Sequence, residues 1–299
     1  MDTERTQKFF DKEQETDSGM TVHPLLRSSA ALLLERHAQL VSRLYDKWAD
    51  GISKAEWYRD ERIFERIDSI VSFRPRRVLE IGFGNGRILR RLASKLPEAA
   101  FEGVDVSHRM HHLALEQCRW LPNVALYEGD WIDPVMHHEP YDIILIKNAL
   151  HLVRGLGEKL RALSRVSHGK TKLVVIETVS PSNASREFVA KMFRRIDRQH
   201  VKVHFFTRQS LWRALKEGGW DKRHYAALID QKLSIDKWLQ FKLDSKEERV
   251  AIRNWILQAP LKIKDEMNIS DEHGPLTMLR RQTVLIVSQK TDEIIPFRR

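Results

Sequence analysis

The sequence predicts an α/β protein in which a mostly parallel sheet is flanked by helices. From residue 76 onward, short apolar runs typical of strands alternate with runs whose apolar residues recur at helical spacing. A glycine-rich loop at residues 82–86 joins the first of these strands to the helix that follows it. With 299 residues, of which 42% are hydrophobic, the chain suits one enlarged α/β domain or two small ones.

Five strand candidates follow one another in the central part of the chain. They lie at residues 77–81, 101–105, 124–128, 141–146 and 172–177. Helical spacing occupies segments between them, at residues 87–95, 107–119 and 156–166. Because a chain must cross over the sheet between two parallel strands, this alternation indicates a parallel sheet with helices on both faces.

The flanking segments predict helices before the sheet and a change of pattern after residue 177. The expected helices lie at residues 25–48, 55–71, 184–198 and 208–217, and a further strand is expected at 201–206. Strand candidates at 224–229 and 283–288 would close the sheet as an antiparallel edge pair, with a helical insertion at 235–268 between them.

These patterns predict four parts of the chain. Residues 1–72 would be an N-terminal helical cap, and residues 73–230 a ligand-binding core. Residues 231–275 would be a helical insertion that serves as a lid, followed by the last strand and tail at 276–299.

Composition and charge narrow the class of protein. Lys and Arg number 51 against 41 Asp and Glu, a net charge of +10, but the basic residues are scattered, as on a solvated basic face. The first residues are charged and lack the apolar segment of a signal peptide, and no apolar run approaches the roughly 20 residues of a membrane span. We therefore expect a cytoplasmic protein without membrane contact. The single cysteine, Cys118, excludes an intramolecular disulfide.

The glycine-rich loop predicts a nucleotide-like ligand. Glycine lets the backbone approach a ligand closely, and the helix after the loop offers free N–H groups beside it. The spacing Gly82-x-Gly84-x-Gly86 differs from the dinucleotide fingerprint G-x-G-x-x-G, and Glu80 precedes the first glycine. A carboxylate at the strand end would repel a pyrophosphate, but it suits a cofactor with an ammonium group, such as S-adenosylmethionine.

Two further acidic residues lie at the ends of later strand candidates. Asp105 ends the second, where a carboxylate can accept hydrogen bonds from both hydroxyls of a ribose, although it could instead cap the next helix. Asp130 and Trp131 follow the third, where an acid can bind an adenine amine and an aromatic ring can cover the base. Asp105 suits both a methyltransferase and a nicotinamide oxidoreductase, whereas the Asp130-Trp131 pair favours a methyltransferase.

Together these residues resemble the class I S-adenosylmethionine-dependent methyltransferases, and particularly the small-molecule branch that includes ubiquinone/menaquinone biosynthesis and natural-product enzymes. The resemblance covers about residues 40–230. It rests on the order of Glu80-x-Gly82-x-Gly84-x-Gly86, Asp105, Gly129-Asp130-Trp131, Tyr141-Asp142 with Asn148, and an early Tyr45-Asp46. It implies a Rossmann-like sheet of seven mostly parallel strands and S-adenosyl-L-methionine (SAM) as cofactor.

The resemblance also implies the residues at the methionine end of the cofactor. Gly82, Gly84 and Gly86 would lie near the methionine moiety, and Glu80 would organise their loop or, through water, the amino-acid group. The residues beside the sulfonium would be Lys147 and Asn148.

Residues for the adenosine end follow from the same resemblance. Asp105, followed by Val106, would bind the ribose, and Asp130 would lie at the adenine. Trp131 would pack against the adenine ring, and Tyr45 would close the site from above.

Methyl transfer from a sulfonium needs positioning more than a metal, and any proton that the acceptor loses needs a base. His151 is the candidate base, because it follows the fourth strand closely and histidine titrates in the useful range; the alternative is a pocket-lining histidine without a proton role. We expect no metal, because the adjacent pairs His111-His112 and His137-His138 point apart and lack a third ligand.

The acceptor pocket would be built by the leading helices, residues 179–206 and the insertion. Its candidate residues are Glu177, Met192 and Phe205, with arginines at 186, 194, 195 and 208 to hold an anion. We expect a small-molecule acceptor, anionic or aromatic, and a homodimer. Whether O, N or C is methylated stays open. The alternatives are a nucleic-acid or protein methyltransferase and, last, a non-catalytic SAM-binding regulator; no Asn/Asp-Pro-Pro-Tyr/Phe motif of nucleic-acid amino-methylases follows the fourth strand.

Overall fold

An eight-stranded sheet forms the centre of the computed structural model, which describes residues 29–130, 139–197, 201–272 and 274–289. The strands are β1 (Arg77–Ile81), β2 (Ala100–Asp105), β3 (Val124–Glu128), β4 (Tyr141–Lys147), β5 (Ser167–Ser180), β6 (Phe206–Thr207), β7 (Lys222–Ser234) and β8 (Thr277–Ser288). Across the sheet their order is β3-β2-β1-β4-β5-β8-β7, and β6 pairs with β5 beside this row.

The strand directions confirm the predicted α/β class. Strands β1 to β6 pair in parallel, whereas β8 runs antiparallel to both β5 and β7. The central strands carry continuous apolar runs, and Ile143 to Ile146 are almost fully buried because helices cover both faces. The main row holds the predicted seven strands, and the short β6 adds an eighth strand beside it.

Ten α-helices occur in the described residues. They are α1 (Ser29–Lys54), α2 (Glu61–Asp68), α3 (Arg87–Lys95), α4 (His108–Cys118), α5 (Leu156–Ala162), α6 (Asn183–Ile196), α7 (Arg208–Glu217), α8 (Ile235–Lys242), α9 (Lys246–Leu257) and α10 (Leu261–Met267). Several begin at side-chain caps, such as Ser107 before α4, whose hydroxyl accepts from the Met110 N–H. No helix in this part of the chain is long and apolar enough to cross a membrane.

The edge strands are longer than the sequence predicts. β7 and β8 extend as an antiparallel ribbon as far as the pair Ser234 and Thr277. The ribbon carries Gln231, Lys232, Arg280 and Arg281, and these polar residues hide its strand pattern in the sequence. The strand predicted at 201–206 reduces to β6, which pairs only with the end of β5.

The insertion has a core of its own. Helices α8, α9 and α10 pack together with α6 and with the far end of the ribbon, through residues such as Met192, Trp238, Ile256, Met267 and Met278. The buried apolar residues of α1 belong to a separate cluster. The lid core thus includes α6, which the sequence-based division assigns to residues 73–230, and that division stays a prediction.

Candidate active site

The carboxyl ends of the parallel strands meet at one edge of the sheet, where ligands bind in open α/β folds. The glycine loop follows β1, Asp105 ends β2, Lys147 ends β4 and Glu177 lies near the end of β5. The sequence motifs therefore converge on one region, although they are up to 97 residues apart in the chain, counted from Glu80 to Glu177.

The glycine loop needs glycine for conformation and for space. Gly82, Gly84 and Gly86 have φ of 69°, 57° and 72°. A Cβ at Gly82 would lie 2.6 Å from the Ala149 Cβ, and one at Gly84 would lie 2.5 Å from the Tyr58 hydroxyl. The loop backbone is thus fixed in a left-handed course close to its neighbours, with its N–H groups at the start of α3.

Asp105 joins this loop to the start of α4 through its two carboxylate oxygens. Oδ2 accepts a hydrogen bond from the Gly84 N–H at 2.8 Å, and Oδ1 accepts one from the Ser107 N–H at 2.9 Å. Burial raises the pKa of Asp105 to about 6, although these two donors act in the opposite direction. Each oxygen keeps a lone pair for a further donor, as a ribose hydroxyl would require.

Glu80 lies below the loop in a small polar cavity. It is 2% exposed, and its Oε2 has no hydrogen-bond partner among the described residues. Burial raises the pKa of Glu80 well above its usual value, while the ammonium of Lys147 favours the charged form. A cavity of about 10 Å³ between Glu80, Tyr58, Arg87 and Lys147 has room for one water.

A larger cavity of about 270 Å³ runs from the glycine loop to the helical insertion, and the end at the insertion is called the lid end. It brings together most of the predicted site residues: Tyr45, Gly82, Gly84, Asp105, Val106, Asp130, Lys147, Asn148, His151, Glu177, Met192 and Phe205. Glu80 faces the small cavity instead, and Gly86 packs against Ala114 of α4. Trp131 lies outside the described residues, as do His137 and His138.

Asp130 has a partner that its predicted role does not include. Both of its carboxylate oxygens accept hydrogen bonds from the Lys159 ammonium, at 2.6 Å each. Lys159 is itself buried and lines the cavity. An adenine amine at this position would therefore share the carboxylate with Lys159.

His151 and Glu177 form a hydrogen-bonded pair on the cavity wall. The His151 Nδ1 lies 3.1 Å from Oε1 and 3.2 Å from Oε2 of Glu177, whose side chain is 1% exposed. The His151 backbone N–H also donates to Glu177, and so does that of Thr178. A buried carboxylate at Nδ1 favours the tautomer that leaves Nε2 without a proton.

Helix α1 lines the cavity, and Asp46 joins this helix to the start of α4. The Asp46 carboxylate accepts hydrogen bonds from the Ser107 hydroxyl at 2.6 Å and from the Arg109 N–H at 3.0 Å. This holds Tyr45 on the cavity wall, where burial raises the pKa of its phenol. The sequence shows Asp46 only as part of the Tyr-Asp pair, without indicating what it contacts.

The basic residues at the acceptor end differ from those expected. None of the arginines at 186, 194, 195 and 208 is among the cavity-lining residues, and Arg195 lies over the Trp255 ring at 4.8 Å. Instead, Lys242 from α8 and Arg280 from β8 line the cavity. An Arg280-Arg281 cluster is visible in the sequence, but no pattern marks Lys242.

Comparison with known proteins agrees with this geometry. A family model described as a methyltransferase domain matches residues 78–169, which include the glycine loop, Asp105 and His151. This chain carries a methyltransferase domain. The resemblance seen in the sequence is therefore confirmed, with SAM as the cofactor of the domain.

Relatives and solved structures extend the comparison. A malonyl-[acyl-carrier protein] O-methyltransferase of Legionella pneumophila is 28% identical over 129 residues, 42% of this chain and 45% of the relative. A demethylmenaquinone methyltransferase of Thermotoga maritima is 25% identical over 132 residues, 42% of this chain and 53% of the relative. The chain thus spans about half the length of these curated relatives. The crystal structure of the YcgJ protein of Bacillus subtilis superposes with a TM-score of 0.62 at 17% identity, covering 72% of this chain and 92% of that one.

Features of the methyltransferase domain itself fit SAM. The Glu80 Oε2, which has no hydrogen-bond partner in the described part of the chain, lies at a cavity with room for one water, and that water would link it to an ammonium group. The close approach of Gly84 to Tyr58 keeps the loop backbone, rather than a side chain, next to the cavity. Asp105 supplies the acceptor oxygens for ribose hydroxyls.

Proposed function

We propose that this chain transfers a methyl group from SAM to an O, N or C atom of a small-molecule acceptor. The observation that carries the proposal is the single cavity from the glycine loop to the apolar residues of the lid. The proposal assigns one end of this continuous cavity to the cofactor and the other end to the acceptor. The demethylmenaquinone relative acts on an acceptor of this kind by its name.

At the cofactor end, Lys147 and Asn148 would lie beside the sulfonium, and Asp105 would bind the ribose. Glu80 would organise the glycine loop or reach the amino-acid group of the cofactor through water. SAM supplies an electrophilic methyl group on a positively charged sulfur. The protein then contributes position, because Tyr45 and the glycine loop hold the two faces of the cavity at a fixed separation.

At the acceptor end, His151 would accept the proton that an oxygen or nitrogen nucleophile loses. Glu177 holds Nδ1 and stabilises the imidazolium that forms, so that Nε2 faces the reaction as a base. Glu177 is thus a positioning residue in this proposal, while Met192 and Phe205 would contact the acceptor.

The acceptor would be aromatic or anionic, because aromatic rings and basic side chains both line the lid end of the cavity. A cavity of about 270 Å³ favours a small molecule over a nucleic acid or a protein segment, which would need an open trough. Action in the cytoplasm and assembly as a homodimer complete the proposal; they rest on the sequence.

Thermal unfolding with S-adenosylhomocysteine (SAH) and with NADH tests the cofactor assignment. We expect SAH, and not NADH, to raise the melting temperature; the reverse would reject the proposal. Incubation with SAM and a panel of phenols, amines and enols then tests transfer, detected as SAH release. Stabilisation by SAH without transfer to any acceptor would identify a non-catalytic SAM-binding protein.

A further inference from the structure

A buried ammonium group lies at the lid end of the cavity. Lys242 is the last residue of α8, is 8% exposed and lines the cavity. Its Nζ lies 2.8 Å from the centroid of the Trp48 ring and 5.2 Å and 5.8 Å from those of Phe241 and Trp238. Aromatic faces attract a cation, but they replace only part of the hydration that a buried charge loses.

Among the residues that the structure describes, Lys242 has no carboxylate partner within ion-pair distance. Asp197 is the acidic residue whose charge favours the ammonium, and its Oδ2 accepts from the Val201 N–H at 2.8 Å. Arg280 adds a second positive charge from the ribbon. Burial together with Arg280 lowers the pKa of Lys242 well below its usual value.

Lys159 is a second buried lysine on the cavity wall, and its ammonium group already has a carboxylate partner. Lys159 and Lys242 are buried to a similar extent, with 7% and 8% exposed, and both line the cavity. Lys159 is held by both carboxylate oxygens of Asp130, whereas Lys242 is surrounded by aromatic rings. Among the described residues Lys242 therefore lacks the carboxylate contact that Lys159 has, and the carboxylate of an anionic ligand would supply that contact.

We propose that Lys242 binds a carboxylate of the acceptor, which makes the acceptor an amphipathic acid. Its apolar body would lie among Met192, Phe205 and Trp238, and its reactive atom would face the glycine-loop end. This inference rests on the proposed methyltransferase function, because it assigns the lid end of the cavity to the acceptor.

Matched acids and amides test the proposal. Benzoate, cinnamate and decanoate, each with its carboxamide, are titrated calorimetrically into the protein saturated with SAH. We expect at least one acid to bind tenfold or more tightly than its amide. Lys242→Met is expected to abolish that preference. Lys237→Met, on the exposed part of the same helix, is the control and should preserve it.

Absence of a tenfold preference in all three pairs overturns the proposal, and so does a preference that survives Lys242→Met. Melting without ligand separates binding from structure: Lys242→Met should melt at or above the parent temperature, because it removes an unpaired buried charge. A melting temperature lowered by several degrees would instead make Lys242 a structural residue. If SAH stabilises the parent but no acid is preferred, the carboxylate proposal fails alone; if SAH does not stabilise it, the methyltransferase proposal fails first.

Discussion

The two ends of the cavity are built in opposite ways. At the glycine-loop end, one short segment of backbone is held by positive φ angles and by Asp105. At the lid end, side chains from separate elements meet, among them Trp48 of α1, Lys242 of α8 and Arg280 of β8. A change at the first end alters the backbone, whereas a change at the second exchanges one side chain within an intact scaffold.

This difference separates what the fold requires from what the acceptor requires. The glycine loop connects β1 to α3, so the passage from the parallel sheet to this helix requires the loop's shape. The lid rests on a core of its own, on the far end of the β7–β8 ribbon. Function in such folds is set by residues added to the scaffold, and the side chains that meet at the lid end come from α1, α8 and β8.

The largest expected effect comes from Gly82→Val at the glycine-loop end. The φ of 69° strains a residue with a side chain by about 1–2 kcal/mol. The added carbon would also overlap the Ala149 Cβ, which typically costs about 1–3 kcal/mol. We expect the melting shift produced by SAH to disappear.

Two controls sharpen that result. Gly219→Ala carries the strain of a φ of 89° but adds its carbon in open space, and it should keep the SAH shift. Met278→Leu at the lid end conserves volume and should also keep it. An undiminished SAH shift in Gly82→Val would show that the loop tolerates side chains and would remove the contrast between the ends.

The sequence predicts the glycine-loop end well because its residues are adjacent in the chain or end successive strands. Gly82, Gly84 and Asp105 meet through the parallel pairing that the alternating pattern already implies. The lid end could be predicted only in part: the sequence predicts Met192 and Phe205 in the acceptor pocket, and both line the cavity. The contact between Lys242 and Trp48 depends on tertiary packing, because the two residues are 194 positions apart and Lys242 lies in no recognisable motif.

A second prediction concerns the boundary between the two ends, where His151 and Glu177 lie. His151→Gln should lower turnover about 10²–10⁴-fold with an acceptor that must lose a proton, because the base is removed. SAH binding, measured by titration, should stay unchanged. Glu177→Gln should lower turnover less, because it weakens only the support of the imidazole.

His168 provides a matched control, since its Nε2 lies 2.9 Å from Asp142 in another histidine–carboxylate pair. That pair joins the start of β5 to β4, away from the cavity-lining residues. His168→Gln should therefore keep parental turnover. Full turnover in His151→Gln would leave His151 as a pocket-lining residue without a proton role.

A third prediction follows from the titration of Asp105. Its pKa of about 6 lies above the unfolded value of about 3.9, so the folded protein binds this proton more tightly. The stability due to this group is therefore present at pH 4 and is lost as pH rises towards 7. Asp105→Asn has no carboxyl group to titrate here. Between pH 4 and pH 7 its free energy of unfolding should therefore rise relative to that of the parent by about 1–3 kcal/mol.

Urea unfolding of both proteins without SAH at pH 4, 5, 6 and 7 measures this difference. A difference that is constant with pH would show that Asp105 titrates normally. SAH should bind the variant more weakly, because an amide cannot accept from both ribose hydroxyls and the Gly84 N–H.

The smallest expected effect concerns Asp46, which joins helix α1 to the start of helix α4. Its carboxylate accepts hydrogen bonds from Ser107 and Arg109 at the start of α4. The residue before it, Tyr45, lines the cavity. Asp46→Ala should weaken SAH binding about 3- to 10-fold, since α1 then covers the cofactor less tightly, a loss comparable to one or two hydrogen bonds. Asp50→Ala is the control: Asp50 lies one turn further along α1 and forms an exposed ion pair with Arg109 at 2.9 Å, which contributes little. Equal SAH affinity in the two variants would mean that α1 stays in place without Asp46, and that the two ends of the cavity are mechanically independent.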